Sequence, residues 1–325
     1  MAAGGLSMRD GHDPAGIVCL AADLAGNHVP PINDILAIIA PVMIISLAGY
    51  LWQRCGMPFD QNMVAALVIN VGTPCLLLNA ILANRPDLIV MARISAATIL
   101  VLVLTGVVAW GILRVAALPV RVFLPAMVFG NTGNVGLPLC LFAFGPAGLA
   151  LAVAYFATQS VLQFSIGQGI ASGQVSARSV FRSPALYAIA LGCALIAGDI
   201  ALPRFLMNSI STVAGLAIPL MLLSLGVSLA SLSVVGLRRS VLVSLFCVGG
   251  GFAVGLAASW AMGLEGAARG AVVVQSAMPS AVFNYLFAAR YDNRPAEVAG
   301  IVVISTLLSF LTLPLLMAFV LSLQA

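Results

Sequence analysis

Apolar residues occur along this chain in long blocks, each about the length of one membrane crossing, and short polar segments separate them. A membrane helix needs about 20 consecutive apolar residues. Ten such blocks lie at 33–52, 61–83, 88–113, 121–144, 147–171, 184–201, 207–233, 239–262, 267–289 and 296–322. The pattern therefore predicts an all-α polytopic membrane protein with about ten transmembrane helices. The segments between the blocks, which contain Arg, Pro and Asp, are predicted loops.

The fourth block contains residues that disfavour a helix. The stretch "VFGNTGNVGLPLCLFAFG" (128–145) places glycines, asparagines and a proline in the middle of an apolar span. Glycine costs about 1 kcal/mol relative to alanine inside a helix, and proline about 3 kcal/mol. A second interruption is predicted at Pro279, in the ninth block. We therefore expect spans 4 and 9 to be broken and to cross.

Similar residues recur 145 positions apart, which indicates an internal repeat. Pro219 follows Pro74 at this offset, the Leu-Phe-Ala run at 141–143 recurs at 286–288, and Asn134 corresponds to Pro279. The chain then divides into an extension at 1–31 that is predicted to be disordered, a first five-helix repeat at 32–171, a cytoplasmic loop at 172–183 and a second repeat at 184–323. Because five is odd, the second repeat would be inverted.

Paired interruptions in matching hydrophobic segments are typical of the binding site of a transporter. Broken backbone inside a membrane is tolerated where it lines a cavity or is buried in protein, and the start of the following half-helix attracts anions. Amides and hydroxyls near the breaks are candidate ligands. The candidate binding residues are Asn131, Thr132, Asn134, Gln159, Gln163, Gln275, Ser280 and Asn284. The predicted helix-breaking residues are Gly130, Gly133, Gly136, Pro138 and Pro279.

Composition supports the membrane assignment and excludes other classes. Hydrophobic residues make up 62% of the 325 residues and charged residues 7%, against about 25% charged residues in soluble domains. All 14 basic residues are Arg, without the clustering that indicates a nucleic-acid partner. Both histidines precede residue 30 and the six cysteines form no C-x-x-C pair, so no metal site or cofactor is expected. No catalytic motif indicates an enzyme.

The arginines also predict an orientation. If the N-terminus lies outside, nine of the 14 arginines fall in cytoplasmic loops and five fall on the outer side. Because cytoplasmic loops are enriched in positive charge, both termini are expected outside, in the cell (inner) membrane. Acidic residues are absent from the predicted span centres. The sequence therefore offers no carboxylate pair for proton or sodium exchange.

From about Ile35 to about Leu321 the chain resembles the auxin efflux carrier family, whose bacterial members include permeases for malonate, malate and similar organic acids. The resemblance is carried by "LAGYLWQRCGM", "INVGTPCLLLNAI", "FGNTGNVGLPLCLFAFG", "RSPALYAIALG", "LAIPLMLLSLGVSLA" and "VQSAMPSAVFNYLFAARY". It implies two inverted five-helix repeats, a scaffold of spans 1, 2, 6 and 7, a transport domain of the other six spans, a homodimer, and elevator-type movement.

The resemblance also implies roles for individual residues. Asn131 matches an asparagine that binds the substrate carboxylate in the plant carriers, and Gln159 matches a polar position of span 5. The plant carriers have a proline before that asparagine where this chain has Gly130, which leaves the position of the break open.

The leading hypothesis is thus a secondary transporter of small organic anions, such as dicarboxylates or auxin-like acids, working by alternating access in the lipid bilayer. A sodium-coupled organic anion symporter of the bile-acid type is an alternative, although it would require acidic side chains near the crossing. A non-transporting membrane sensor is a third hypothesis, which would leave the two matching breaks unexplained.

Overall fold

A computed structural model of the protein describes residues 32–173, 184–232 and 234–322, and in these ranges the chain is helical apart from turns and connecting loops. Four five-residue π-helical turns interrupt the α-helices. In chain order the elements are α1 (Ile32–Arg54), α2 (Gln61–Leu67), π1 (Val68–Gly72), α3 (Thr73–Asn84), α4 (Leu88–Val115), α5 (Val120–Val128), π2 (Thr132–Gly136), α6 (Leu137–Leu162), π3 (Gln163–Gly167), α7 (Gln168–Ser172), α8 (Pro184–Ala197), α9 (Arg204–Ser231), α10 (Leu237–Leu245), π4 (Phe246–Gly250), α11 (Gly251–Ala261), α12 (Gly266–Ser276), α13 (Val282–Arg290) and α14 (Pro295–Ser322).

Seven helical segments in the described ranges are long and apolar enough to cross a membrane. They are Ile32–Arg54, Gln61–Asn84, Leu88–Val115, Thr132–Ser172, Arg204–Ser231, Leu237–Ala261 and Pro295–Ser322. The predicted all-α, multi-pass architecture is confirmed at this level. The ten-span count and the inverted repeat stay predictions. The predicted extension at 1–31 and most of the predicted loop at 172–183 lie outside the described residues.

The segment Thr132–Ser172 is too long for a single crossing. Its 41 residues would extend about 60 Å at 1.5 Å per residue, roughly twice the thickness of a bilayer's hydrocarbon core. Gly145 divides it, with φ 67° and ψ −168°, a conformation that is essentially restricted to glycine. Pro146 begins the second arm, so the predicted boundary between blocks at 145–146 coincides with this kink.

Helices α1 and α9 pack so closely that their contact leaves no room for side chains at two glycines. A Cβ atom added to Gly226 of α9 would collide with the backbone oxygen of Ser46, and one added to Gly49 of α1 would collide with the backbone oxygen of Leu223. Small residues that let backbones approach in this way are typical of helix contacts in membranes. Helix α9 of this pair also contributes residues to the lining of the cavity described below.

We predict that Gly226→Ala destabilises the protein by about 1–3 kcal/mol, because an overpacked methyl group must push the two backbones apart. Gly215→Ala on the same helix is the matched control, since a Cβ atom there has no heavy atom within 4 Å. The measurement is the thermal unfolding midpoint of each purified variant in detergent. Equal midpoints for the two variants would contradict this account of the α1–α9 contact.

Candidate functional site

The two helix breaks lie side by side and satisfy each other's backbone. Between α5 and π2, Asn131 donates its N–H to the carbonyl oxygen of Pro279 at 2.6 Å. In return, Ala281 donates its N–H to the carbonyl oxygen of Phe129 at 3.1 Å, so that Gly130 lies opposite Ser280 in a short antiparallel bridge. Two strand-like segments thus pair inside an otherwise helical protein. Their pairing supplies partners that neither helix could supply after its interruption.

A glycine at position 130 suits this close approach, because a side chain there would be tightly confined. A Cβ atom added there would lie 3.1 Å from the backbone oxygen of Met278 and 3.3 Å from its Cβ. The bridging residues Gly130 and Ser280 are 150 positions apart, whereas the predicted repeat matched Asn134 with Pro279 at an offset of 145. The bridge therefore pairs residues other than those that the repeat matched.

A glutamine from α6 braces the first break. Gln159 Nε2 donates to the carbonyl oxygen of Gly130 at 2.7 Å and to Thr132 Oγ1 at 2.9 Å. The side chain is 2% exposed, and both of its amide hydrogens are used by these contacts. Gln159 was predicted to bind the substrate. Its two amide hydrogens instead stabilise the conformation of the break.

An asparagine from α13 braces the same break from the other side. Asn284 Nδ2 donates to the carbonyl oxygen of Phe129 at 2.8 Å and to Ser280 Oγ at 3.0 Å, and its Oδ1 accepts from Gln163 Nε2 at 3.2 Å. The N–H of Ser280 donates to Ser305 Oγ at 3.1 Å. The predicted residues Gln163, Ser280 and Asn284 are thus brought together as one hydrogen-bonded network.

Asn131 differs from these bracing amides because only one of the two polar atoms of its amide, Oδ1, has a hydrogen-bond partner among the described residues. Its Oδ1 accepts from the N–H of Asn134 at 3.2 Å, which caps the start of π2. Its Nδ2 has no hydrogen-bond partner within the described part of the chain, and the residue is buried, with only 5% of its surface exposed. Leaving such a donor unpaired costs about 1–3 kcal/mol. A buried free donor at the start of a helical segment is suited to an anionic ligand.

A cavity of about 350 Å³ lies against this break. Its size falls within the usual range for small-molecule sites. Its wall includes predicted residues of the first break, among them Gly130, Asn131, Thr132, Gly133 and Asn134, together with Gln163 of π3. Aromatic side chains at 156, 164 and 283 add apolar surface, and none of the described lining residues is charged.

The remaining predicted residues, Gln275, Gly136, Pro138 and Pro279, are not among those that line this cavity. Gln275, at the end of α12, is 1% exposed, and neither atom of its amide has a partner among the described residues. A Cβ atom added to Gly136 would collide with Gln275 Oε1, so this glycine makes room for the amide. Pro138 is buried in the first turn of α6, and Pro279 contributes its carbonyl oxygen to the bridge.

A second, much smaller cavity of about 10 Å³ lies on another side of the breaks. Its wall includes the hydroxyl-bearing residues Thr105, Tyr155, Ser276 and Ser280, and the Thr105 hydroxyl has no partner within the described ranges. This volume is about that of one water molecule. No acidic residue is among those that line it. In residues 32–173, 184–232 and 234–322, no group of three or more His, Cys, Asp or Glu residues could hold a metal ion.

Comparison with known proteins relates this geometry to transport. Residues 169–317 match the family model described as membrane transport protein. An uncharacterized transporter of Methanothermobacter thermautotrophicus is 26% identical over 313 residues, covering 85% of this chain and 95% of its own length. An uncharacterized transporter of Methanocaldococcus jannaschii is 23% identical over 299 residues, covering 86% of this chain and 96% of its own.

The family model and both relatives thus indicate a similarity to membrane transport proteins. The resemblance identified from the sequence is confirmed at this level, and the chain is a multi-pass membrane protein. The matched segment contains the second break and its bracing asparagine, while the two relatives extend the similarity over most of the chain.

Sequence reasoning missed the part of the cavity lining that α2 and α9 contribute. Gln61 and Asn62 of α2 and three serines of α9, at 224, 228 and 231, also line the cavity. A signal for the serines was present, because residues spaced by four and three positions share one face of a helix. The breaks could be recognised from the sequence because their residues strongly disfavour a helix. A row of serines on one face of an apolar helix does not disfavour the helix in this way.

We predict that Gln159→Leu destabilises the protein by about 1–3 kcal/mol, because the carbonyl oxygen of Gly130 loses a buried donor without replacement. The neighbouring Thr158→Val is the matched control, since the Thr158 hydroxyl donates to a carbonyl oxygen of its own helix. Thermal unfolding of both variants in detergent measures the difference. If Gln159→Leu unfolds at the wild-type temperature, Gln159 does not brace the break.

Proposed function

We propose that this protein is a secondary transporter of small organic anions, which it moves by alternating access around the cavity at the paired breaks. The observation that carries the proposal is Asn131 Nδ2, a buried donor that has no hydrogen-bond partner among the described residues and that belongs to a residue lining the cavity at the start of π2. A carboxylate accepting from this donor would satisfy it. The match to transport proteins supports the same reading.

The neutral lining supports carriage rather than tight capture. Because none of the described lining residues is charged, a bound anion is held by neutral donors and by the partial positive charge of a helix start. Such contacts are weaker than a buried ion pair, which favours release on the other side of the membrane. In this proposal Asn131, Thr132, Asn134 and Gln163 contact the substrate, and Gln159, Ser280 and Asn284 hold the breaks that position them.

We further propose the finer architecture expected from the sequence: ten spans in two inverted repeats, both termini outside in the inner membrane, and a homodimer. The kink at Gly145 supports the ten-span count because it divides the 41-residue segment into two arms.

The small cavity near the breaks makes sodium coupling the second candidate. Its hydroxyl-bearing wall offers oxygen ligands, which suit a hard cation. The absence of an acidic residue from that wall makes uncoupled transport the better-supported proposal. The two candidates differ in whether a sodium gradient is required.

We predict that Asn131→Ala weakens binding of the transported anion by roughly ten- to a hundredfold, since a hydrogen bond to a charged group contributes about 1.5–3 kcal/mol. Asn70→Ala is the matched control, because the Asn70 amide donates to the carbonyl oxygen of Ala66 and is exposed away from the cavity. A screen of organic acids in proteoliposomes, followed by concentration-dependent uptake, supplies the apparent affinities.

Normal expression and unfolding temperature of the Asn131 variant serve as the folding control. Unchanged affinity in both Asn131→Ala and Asn134→Ala would place the binding site elsewhere. An absence of uptake for every acid tested, with wild-type protein correctly reconstituted, would contradict the proposed function itself.

We predict that the membrane potential alone drives net efflux. The substrate's charge responds to that potential by about 2.3 kcal/mol per charge per 100 mV, and none of the described residues lining the cavity is an acid that could carry protons. The measurement is efflux from proteoliposomes clamped at a set potential, with equal pH and equal sodium on both sides. Flux that starts when a sodium gradient is imposed, and not before, would instead support sodium coupling.

A further inference from the structure

Hydrogen bonds between connecting segments show which helix ends lie together. Gln61, in the first turn of α2, donates to Ser228 Oγ near the end of α9. Arg239, in the first turn of α10, pairs with Glu297 in the first turn of α14 at 3.3 Å. Asn293, just before α14, donates to a carbonyl oxygen in the last turn of α7 at 2.6 Å. Because short connections join α1 to α2, α9 to α10 and α13 to α14, these helix ends share one end of the bundle, which we call the α1–α2 end.

The end of α4 belongs to the same group, and the remaining helix ends form a second one. Four residues join α4 to α5, and a Cβ atom added to Gly173, after α7, would lie 3.1 Å from the guanidinium carbon of Arg121 in the first turn of α5. At the opposite end, Arg85 after α3 pairs with Asp199 after α8 at 2.7 Å. There Arg93 of α4 donates to carbonyl oxygens of the turn that follows α11. We call this opposite end the α3–α4 end.

Three arginines at the α1–α2 end lie over aromatic rings, with 5.3 to 5.9 Å between the guanidinium carbon and the ring centroid. The stacked pairs are Arg54 over Tyr50, Arg114 over Trp110 and Arg290 over Tyr291. Each arginine is exposed and lies in the last turn of its helix. None of the three has a hydrogen-bond or ion-pair partner among the described residues. A guanidinium that stacks on a ring keeps the N–H donors at its edge available for another group.

The arginines at the α3–α4 end are used by the protein itself. Arg85 forms the ion pair with Asp199, and Arg93 and Arg269 donate to backbone carbonyl oxygens of the turn that follows α11. Of the four described arginines at this end, Arg204 is the one without a partner among the described residues. None of the four lies over an aromatic ring of the described chain. The donors that the protein leaves unused while a ring holds them are therefore concentrated at the α1–α2 end.

The stacked arginines lie at the depth of lipid headgroups. Large apolar side chains of the same helices are exposed one turn or less before each arginine, namely Leu51, Ile112 and Leu286, so these helix faces contact lipid rather than protein. Tyr and Trp, the ring partners, are the residues enriched at the interface between membrane and water. A guanidinium in the last turn of such a helix reaches the same level.

The α1–α2 end is positively charged, whereas the opposite end is balanced. Among the described residues, seven arginines and three acidic residues lie at the α1–α2 end, and four of each lie at the α3–α4 end. Positive charge at a membrane surface attracts anionic lipids. Arginine suits phosphate in particular, because its planar guanidinium can donate two parallel N–H bonds to one phosphate group.

We propose that Arg54, Arg114 and Arg290 bind the phosphate groups of anionic phospholipids at the α1–α2 end. The aromatic ring holds each guanidinium in place, the edge of the guanidinium donates to the phosphate, and the acyl chains lie along the exposed apolar face of the same helix. This inference goes beyond the proposed function and does not depend on it, because it involves neither the cavity nor the transported anion.

The test is native mass spectrometry of the purified full chain, released from neutral detergent micelles that contain phosphatidylglycerol or phosphatidylcholine with the same acyl chains. Wild type should bind the anionic lipid more tightly than the zwitterionic one. The triple variant Arg54→Gln, Arg114→Gln, Arg290→Gln should bind phosphatidylglycerol roughly fivefold more weakly at each site, the effect of one arginine beside an anionic surface. Arg204→Gln is the matched control and should bind as wild type does, since this exposed arginine lies over no ring.

Two further variants separate a guanidinium held by a ring from charge alone. Arg114→Lys keeps the charge but loses the paired N–H donors, so it should recover only part of the affinity that Arg114→Gln loses. Trp110→Leu keeps Arg114 but removes its ring, and should weaken binding of phosphatidylglycerol although the charge of the protein is unchanged.

Equal affinity for the two lipids, undiminished binding by the triple variant, or full recovery in Arg114→Lys would each overturn the inference. Displacement of the lipid by inorganic phosphate, at an ionic strength matched with chloride, would assign the sites to a soluble anion and would overturn it too. The triple variant should unfold at the wild-type temperature, because none of the three arginines has a hydrogen-bond partner within the described residues. A lower unfolding temperature would show that these arginines stabilise the fold instead.

Discussion

The structure depends on one constraint, which is that backbone groups freed by a helix break inside apolar surroundings must find partners. Here each break supplies the partners of the other. The N–H of Asn131 and the carbonyl oxygen of Phe129 are satisfied by residues of the second break. Gln159 then donates to the carbonyl oxygen of Gly130, and Asn284 adds a second donor to the carbonyl oxygen of Phe129. An unpaired backbone group in hydrocarbon costs several kcal/mol, so each break depends on the backbone partners that the other supplies. The cavity in turn depends on both breaks, because residues of both line it.

Much of this arrangement could be predicted from the sequence because its causes are local. Glycine, asparagine and proline disfavour a helix wherever they stand, so the breaks near Gly130 and Pro279 and the kink at Gly145 follow from a few neighbouring residues. The apolar blocks likewise predicted the helices, since the length of a crossing is fixed by the bilayer. The offset of 145 indicated a repeat but did not locate the contact, because the two breaks pair at Gly130 and Ser280.

The roles of the polar side chains could not be predicted in the same way. Gln159 reaches a carbonyl oxygen 29 positions away and Asn284 one 155 positions away, and such distances become short through folding alone. The sequence therefore presented bracing amides and free amides as a single class of candidates. The structure separates them by whether the donors are occupied, which leaves Asn131 with a free donor and Gln159 without one. Gln275 belongs to neither group, and we have no physical account of why both atoms of its amide are unpaired.

The bridge between the breaks also constrains how this protein can change over time. Strand-like pairing has a register, and inserting or deleting one residue in either break would shift every hydrogen bond and turn each side chain to the opposite face. A loop on the surface would absorb such a change, but here the partner segment lies about half the chain away. Substitutions at 129–131 are therefore expected to depend on the residues present at 279–281, and the reverse. The two segments should change together during evolution although they are far apart in the sequence.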